Sequence, residues 1–109
     1  MSVAHINQDS FQKEVLEQKG LVFVDFYAVW CGPCKMTELI IEELAKESSE
    51  VKFVKVNVDE NPELTQSYQV FSIPTFVIFK DGQVINQFVG AMGKEGFQAE
   101  IDQAKSRTS

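Results

Sequence analysis

The run Leu21-Val22-Phe23-Val24-Asp25-Phe26-Tyr27 is apolar on both alternations except at Asp25. Successive side chains of a strand point to opposite faces, so the run fits a central strand covered on both sides. Where it ends, Trp30-Cys31-Gly32-Pro33-Cys34 leads into a helical pattern, and this pentapeptide holds both cysteines of the chain. After Pro33 the periodicity predicts Met36, Leu39, Ile40 and Leu44 toward a core, with Glu38, Glu42, Glu43 and Lys46 facing outward. Val51 to Val58 reads as a second buried strand and completes a βαβ crossover.

The flanking segments extend this unit. Val3 to Ile6 can form a short edge strand, and Asn7 or Asp9 can cap a helix with Phe11, Val15 and Leu16 on one face, ended by Gly20. After the second strand, Asn61 can cap a short helix with Pro62 at its first position and Leu64 and Tyr68 within it. Thr75 to Lys80 and Gln83 to Val89 flank Asp81-Gly82, a two-residue hairpin signal, so the sheet is mixed. A last helix from about Lys94 should bury Phe97, Ile101 and Ala104, with a polar tail that frays from Lys105. The order is βαβαβαββα, an α/β chain read as a single domain over residues 1–109. Phe11, Phe23, Phe26, Phe53, Phe76, Phe79 and Phe88 sit at core periodicities.

Charge and motif content narrow the function. The formal net charge is -6, Arg107 is the only arginine and the lysines are scattered, which disfavours nucleic acid or an anionic membrane as partner. Asn7, Gln8, Asp9, Gln12, Lys13 and Glu14 leave no apolar run long enough for a signal peptide or a span near the start. A reducing cytoplasm is therefore expected, where a lone cysteine pair is more often catalytic than a structural staple. A stabilising disulfide is the alternative, but it would close a very short loop and gain little entropy. Zinc would need more ligands than one cysteine pair and His5, itself read as an exposed strand-end residue, can supply. No Gly-rich phosphate loop follows a strand, and a monomer is the default.

With Cys31 as the N-cap of the helix, Pro33 offers no backbone N–H, so the Cys34 N–H is the natural donor to the Cys31 sulfur. Only the thiolate attacks a disulfide. A helix-end dipole contributes about 0.3 to 1 kcal/mol, less than the roughly 1.4 kcal/mol that moves a pKa by one unit. Direct hydrogen bonds must supply any larger depression. Asp25 is the other unusual residue, since a carboxylate among Val, Phe and Tyr is disfavoured by strand propensity and by burial. Buried, it would have a raised pKa suited to proton transfer; at a sheet edge it would simply reach solvent.

Taken in order, Val24-Asp25-Phe26-Tyr27-Ala28, Trp30 through Met36, Val56-Asn57-Val58-Asp59, Ser72-Ile73-Pro74-Thr75 and Phe79-Lys80-Asp81-Gly82 resemble the thioredoxin family over essentially the whole chain. The resemblance implies the thioredoxin fold, a mixed five-stranded central sheet flanked by four helices. It implies a protein-disulfide reductase serving cell redox homeostasis, with Cys31 as nucleophile and Cys34 as the more buried resolving thiol. Asp25 would be the buried acid that assists Cys34, and Lys55, by itself readable as a solvated lysine, would be its electrostatic neighbour. A cis bond before Pro74 has a base rate of only about 5–6%, yet the family carries one there. Ile73, Pro74, Thr75, Gly90 and Ala91 would then line a groove for an extended substrate segment, with Gly32 and Pro33 beside it and Trp30 as one wall, unless Trp30 is incidentally exposed.

The resemblance also implies no bound cofactor, with electrons reaching the dithiol from NADPH through a flavoprotein thioredoxin reductase and passing to disulfide-containing client proteins. Two departures stand out. Leu39 replaces a proline that thioredoxins usually carry five residues after the second cysteine, which predicts a straighter helix, and Tyr27 stands where many members have tryptophan. A disulfide oxidase or isomerase is the redox alternative, disfavoured by Gly32-Pro33 and the polar N-terminus. A non-catalytic binding module using the Trp30, Pro74 and Gly90 surface is the alternative from another class.

Overall fold

A computed structural model of the chain describes residues 3–107. The five strands are β1 (Ala4–His5), β2 (Leu21–Tyr27), β3 (Val51–Asn57), β4 (Thr75–Lys80) and β5 (Gln83–Val89), in sheet order β1-β3-β2-β4-β5. β1, β3 and β2 run parallel, while β4 and β5 return antiparallel. The apolar run of β2 thus takes the middle place, which excludes the edge position for Asp25. Three α-helices, α1 (Gly32–Glu47), α2 (Pro62–Ser67) and α3 (Lys94–Ser106), join a π-helical turn over Gln12–Leu16. The element order is the one read from the sequence, with the first helix wound as that short turn.

Both sheet faces are covered. Leu21, Phe23, Phe53, Phe76 and Ile78 pack with Ile41, Leu44, Phe97, Ile101 and Ala104 of α1 and α3. On the other face Val22, Val24, Phe26, Val54, Val56, Val77 and Phe79 pack with Phe11, Val15 and Leu64. Asp81 and Gly82 both have positive φ, 52° and 84°, as a tight two-residue hairpin turn needs.

Several local expectations need correction. Asn7 accepts a hydrogen bond from the Ser10 N–H at 2.9 Å and so closes the turn before the π-helical segment, whose own N-cap Phe11 has no side-chain bond. Asn61 precedes Pro62 as expected, but its side chain accepts from the Gln8 N–H and donates to the Asn57 carbonyl and does not cap α2. Lys105 does not begin a frayed tail, because α3 continues to Ser106, Lys105 pairs with Glu50, and Arg107 donates to the Ile85 carbonyl at 2.6 Å. Residues 108–109 of that tail lie outside the described residues.

The phase of α1 differs most. Its buried face is Cys34, Thr37, Ile41, Leu44 and Ala45, whereas Met36 and Leu39 are 74% and 77% exposed. The start of the helix sets the phase: Cys31 and Cys34 are turned inward to pack with Ala28, and the inward face then follows from Cys34 at helical spacing. The helix is unbroken through Leu39. Leu39→Lys should therefore leave stability within about 0.5 kcal/mol of wild type, while Ile41→Ala should cost about 2 to 5 kcal/mol. Urea unfolding of both variants checks the phase, and a large loss at Leu39 would contradict it.

Candidate active site

The site begins where β2 hands over to α1. Ala28 is buried at the strand end, its carbonyl accepts from the Cys31 N–H at 3.2 Å, and Cys31 has extended backbone as N-cap of α1. The Cys34 N–H donates to Cys31 Sγ at 3.2 Å, the bond the motif predicts. Cys31 and Cys34 are joined as a disulfide with Cα atoms 5.3 Å apart. An N–H fixed on this sulfur, reinforced by the positive end of a sixteen-residue helix, favours an anion there once the bond is reduced. Cys31 is 4% and Cys34 7% exposed, so both residues are buried in this disulfide form.

Asp25 is buried on the α1 face of β2, in register with Lys55 on one side and Phe76 on the other. Its Oδ1 makes no hydrogen bond among the described residues. Burial pushes its pKa up from 3.8 to about 7, with Lys55 pulling it down and Glu38 pushing it up. Asp25, Cys34 and Lys55 share the wall of one cavity of about 370 Å³, together with His5, Tyr27, Ala28, Val29, Lys35 and Glu38. Lys55 is not a solvated lysine, since its ammonium lies 5.1 Å from the Tyr27 ring centroid and 3.6 Å from Glu38.

On the other side of the disulfide, the Ile73–Pro74 bond is cis and Ile73 packs against the Ala28, Cys31 and Cys34 cluster. Pro74 and Thr75 are buried, and Thr75 Oγ1 donates to the Ser72 carbonyl. The Gly90 N–H donates to the Pro74 carbonyl at 2.9 Å. Gly90 has φ 104°, a conformation that a side chain would strain. Ala91, Gly32 and Pro33 are exposed beside these segments. Trp30 is exposed, with its Nε1–H donating to Asp59 at 2.8 Å.

The family model described as Thioredoxin matches residues 2–103. The chain belongs to the thioredoxin family. It is 48% identical over 104 residues to Thioredoxin 1 of Synechococcus elongatus, covering 94% of this chain and 97% of that one. It is 44% identical over 97 residues to a Thioredoxin of Mycobacterium tuberculosis, covering 88% and 84%, and 39% identical over 103 residues to that of Porphyra purpurea, covering 94% and 96%. As a thioredoxin-family chain with a paired Cys31–Cys34, it is a dithiol–disulfide oxidoreductase with a protein-disulfide reductase role. Membership implies a reductase that recharges it and clients that carry disulfides. No helix of the described residues is long and apolar enough to cross a membrane.

Sequence reasoning misses two residues of the cavity wall. Glu38 reads only as part of the outward face, although its place four residues after Cys34 is a signal of a shared helix face. His5 is exposed yet lines the cavity and meets the Tyr27 ring edge-on at 6.0 Å.

Proposed function

We propose that this chain reduces protein disulfides by an exchange in which Cys31 is the nucleophile and Cys34 the resolving thiol, contributing to cell redox homeostasis. The observation that carries this reading is the Cys34 N–H held on Cys31 Sγ at the start of α1. In the dithiol form the Cys31 thiolate attacks one sulfur of a client disulfide. A Cys31–client bond forms, and the other client sulfur leaves as a thiolate and is protonated. Asp25 takes the proton of Cys34, directly or through water, and the pKa near 7 that burial confers suits it to that transfer. Cys34 then attacks Cys31, closing the disulfide and releasing the second client sulfur. Two electrons have passed to the client.

Ile73, Pro74, Thr75, Gly90 and Ala91 would hold the client chain in extended form, flanked by Trp30, Gly32 and Pro33. The Ile73 backbone makes no backbone hydrogen bond among the described residues and so is free to pair with an added strand. Lys55 steadies the charge that forms on Asp25. The protein binds no cofactor of its own in this reading, and NADPH recharges it through a flavoprotein thioredoxin reductase. It works as a monomeric single domain of residues 1–109 in the cytoplasm, with no nucleic-acid or membrane partner.

Cys34→Ser leaves the attacking sulfur but removes the step that frees the client. Incubated with oxidised client proteins, this variant should accumulate disulfide adducts on Cys31, read by mass spectrometry. Failure to trap any adduct while wild type turns over would exclude Cys31 attack followed by Cys34 release.

A further inference from the structure

The cavity beside Cys34 holds more charge than the exchange steps use. Strand register lays down its floor: His5 is beside Lys55, and Lys55 is beside Asp25. Side chains in register share a face of the sheet, so an imidazole, an ammonium and a carboxyl group stand in one row across β1, β3 and β2. Helix α1 supplies the opposite wall through Cys34, Lys35 and Glu38. Glu38 stands one helical turn beyond Cys34, and its Oε2 is 3.6 Å from Lys55 Nζ.

The partners of Lys55 are uneven. Its side chain is 11% exposed and that of Glu38 is 56% exposed, so the pair runs from the cavity interior to solvent. The ammonium also lies over the Tyr27 ring, which itself meets His5. Among the described residues Lys55 forms no ion pair with Asp25, although the two are register neighbours. Asp25 Oδ1 is left without a hydrogen bond. The cation is held by Glu38 and Tyr27, and Asp25 feels it only through space.

We propose that Glu38 is a positioning residue: its ion pair draws the Lys55 ammonium toward the cavity mouth and away from Asp25, leaving the Asp25 carboxyl free of a bonded cation and fit to take up the proton of Cys34. The proposal rests on Asp25 acting as the base for Cys34. The other groups facing Asp25 are His5 from β1, Tyr27 from β2, Lys55 from β3 and Lys35 from α1, with Glu60 acting on Tyr27. Loss of the Glu38 charge works in one direction by two routes. It removes a direct repulsion, and it releases Lys55 to approach Asp25; both lower the pH at which Asp25 ionises. Only the second route needs Lys55.

That difference sets the test. The Asp25 carboxyl is titrated by carbon-13 NMR in the oxidised full chain, where neither cysteine ionises, for wild type, Glu38→Gln, Lys55→Met and the double variant. Glu38→Gln should lower the Asp25 midpoint by roughly half a pH unit, the size expected of a partly exposed ion pair. With Lys55→Met already present, the same change should move it less than half as far. Equal shifts in both backgrounds would make Glu38 a nearby charge only and overturn the positioning role, as would the absence of any shift. The pH profile for release of a Cys31 mixed disulfide is then measured in the same four proteins and should follow the NMR midpoints. Rates indifferent to those midpoints would overturn Asp25 as the base, a failure separate from that of the Glu38 arrangement, which the NMR titration decides by itself.

Discussion

Cys31→Ser will bring the catalysed reduction of insulin by dithiothreitol down to the uncatalysed background. A serine hydroxyl can accept the same Cys34 N–H that now meets Cys31 Sγ at 3.2 Å, and hydroxyls are favoured N-caps. The helix start and the fold should therefore survive, and the loss will be chemical. The hydroxyl is a far weaker nucleophile than a thiolate and is not ionised at neutral pH. No other cysteine exists in the chain to replace it except Cys34, which lines the inner cavity with Asp25. Turnover that persists in Cys31→Ser would contradict the assignment of the nucleophile.

Asp25→Ala should raise stability at alkaline pH, an unusual result for a substitution in a central strand. In the folded chain Asp25 has its pKa raised from 3.8 to about 7, chiefly because burial penalises its charged form. At about 1.4 kcal/mol per pH unit of separation, holding the carboxylate in the fold at pH 8 costs on the order of 4 kcal/mol. The sign follows from proton uptake. Between pH 4 and 7 the folded state holds the Asp25 proton and the unfolded state has released it, so the contribution of Asp25 to stability falls as pH rises. Below the unfolded value the penalty is absent, and above the folded value it is constant. The advantage of Asp25→Ala over wild type in urea unfolding of the oxidised protein should therefore grow from about pH 4 and level off above about pH 7. A pH-independent difference would show that Asp25 is not held as a buried acid. The same substitution should slow disulfide release, since Cys34 loses its proton acceptor.

These two residues are readable without coordinates because each breaks a local rule. A carboxylate in an otherwise apolar strand has few explanations, and a cysteine before Gly-Pro-Cys at a helix start has its donor chosen by the missing proline N–H. The hairpin at Asp81-Gly82 is equally plain, since both positions need positive φ. The phase of α1 is not plain. Met36 and Leu39 are apolar, as are Ile41 and Leu44, so periodicity alone admits a face one residue away from the observed one. The inward turn of Cys34 settles it, which buries Thr37 as well, and Thr37 is tolerated there because its hydroxyl donates to the Cys34 carbonyl at 3.0 Å.

What the sequence determined by itself was local and short in range: which segments are strands or helices, which cysteine sits at the helix start, which strand carries a misplaced acid, and where the chain turns. Family resemblance added the cis bond at Pro74 and the partners of the groove. Only the tertiary structure decided that His5 joins Lys55 and Asp25 in one row, and that Glu38 reaches Lys55 from the helix above. Residues far apart in sequence become neighbours through strand register and helix phase, and these follow from how the whole core packs. The charge balance around the inner thiol is a property of that packing, and no stretch of the chain states it alone.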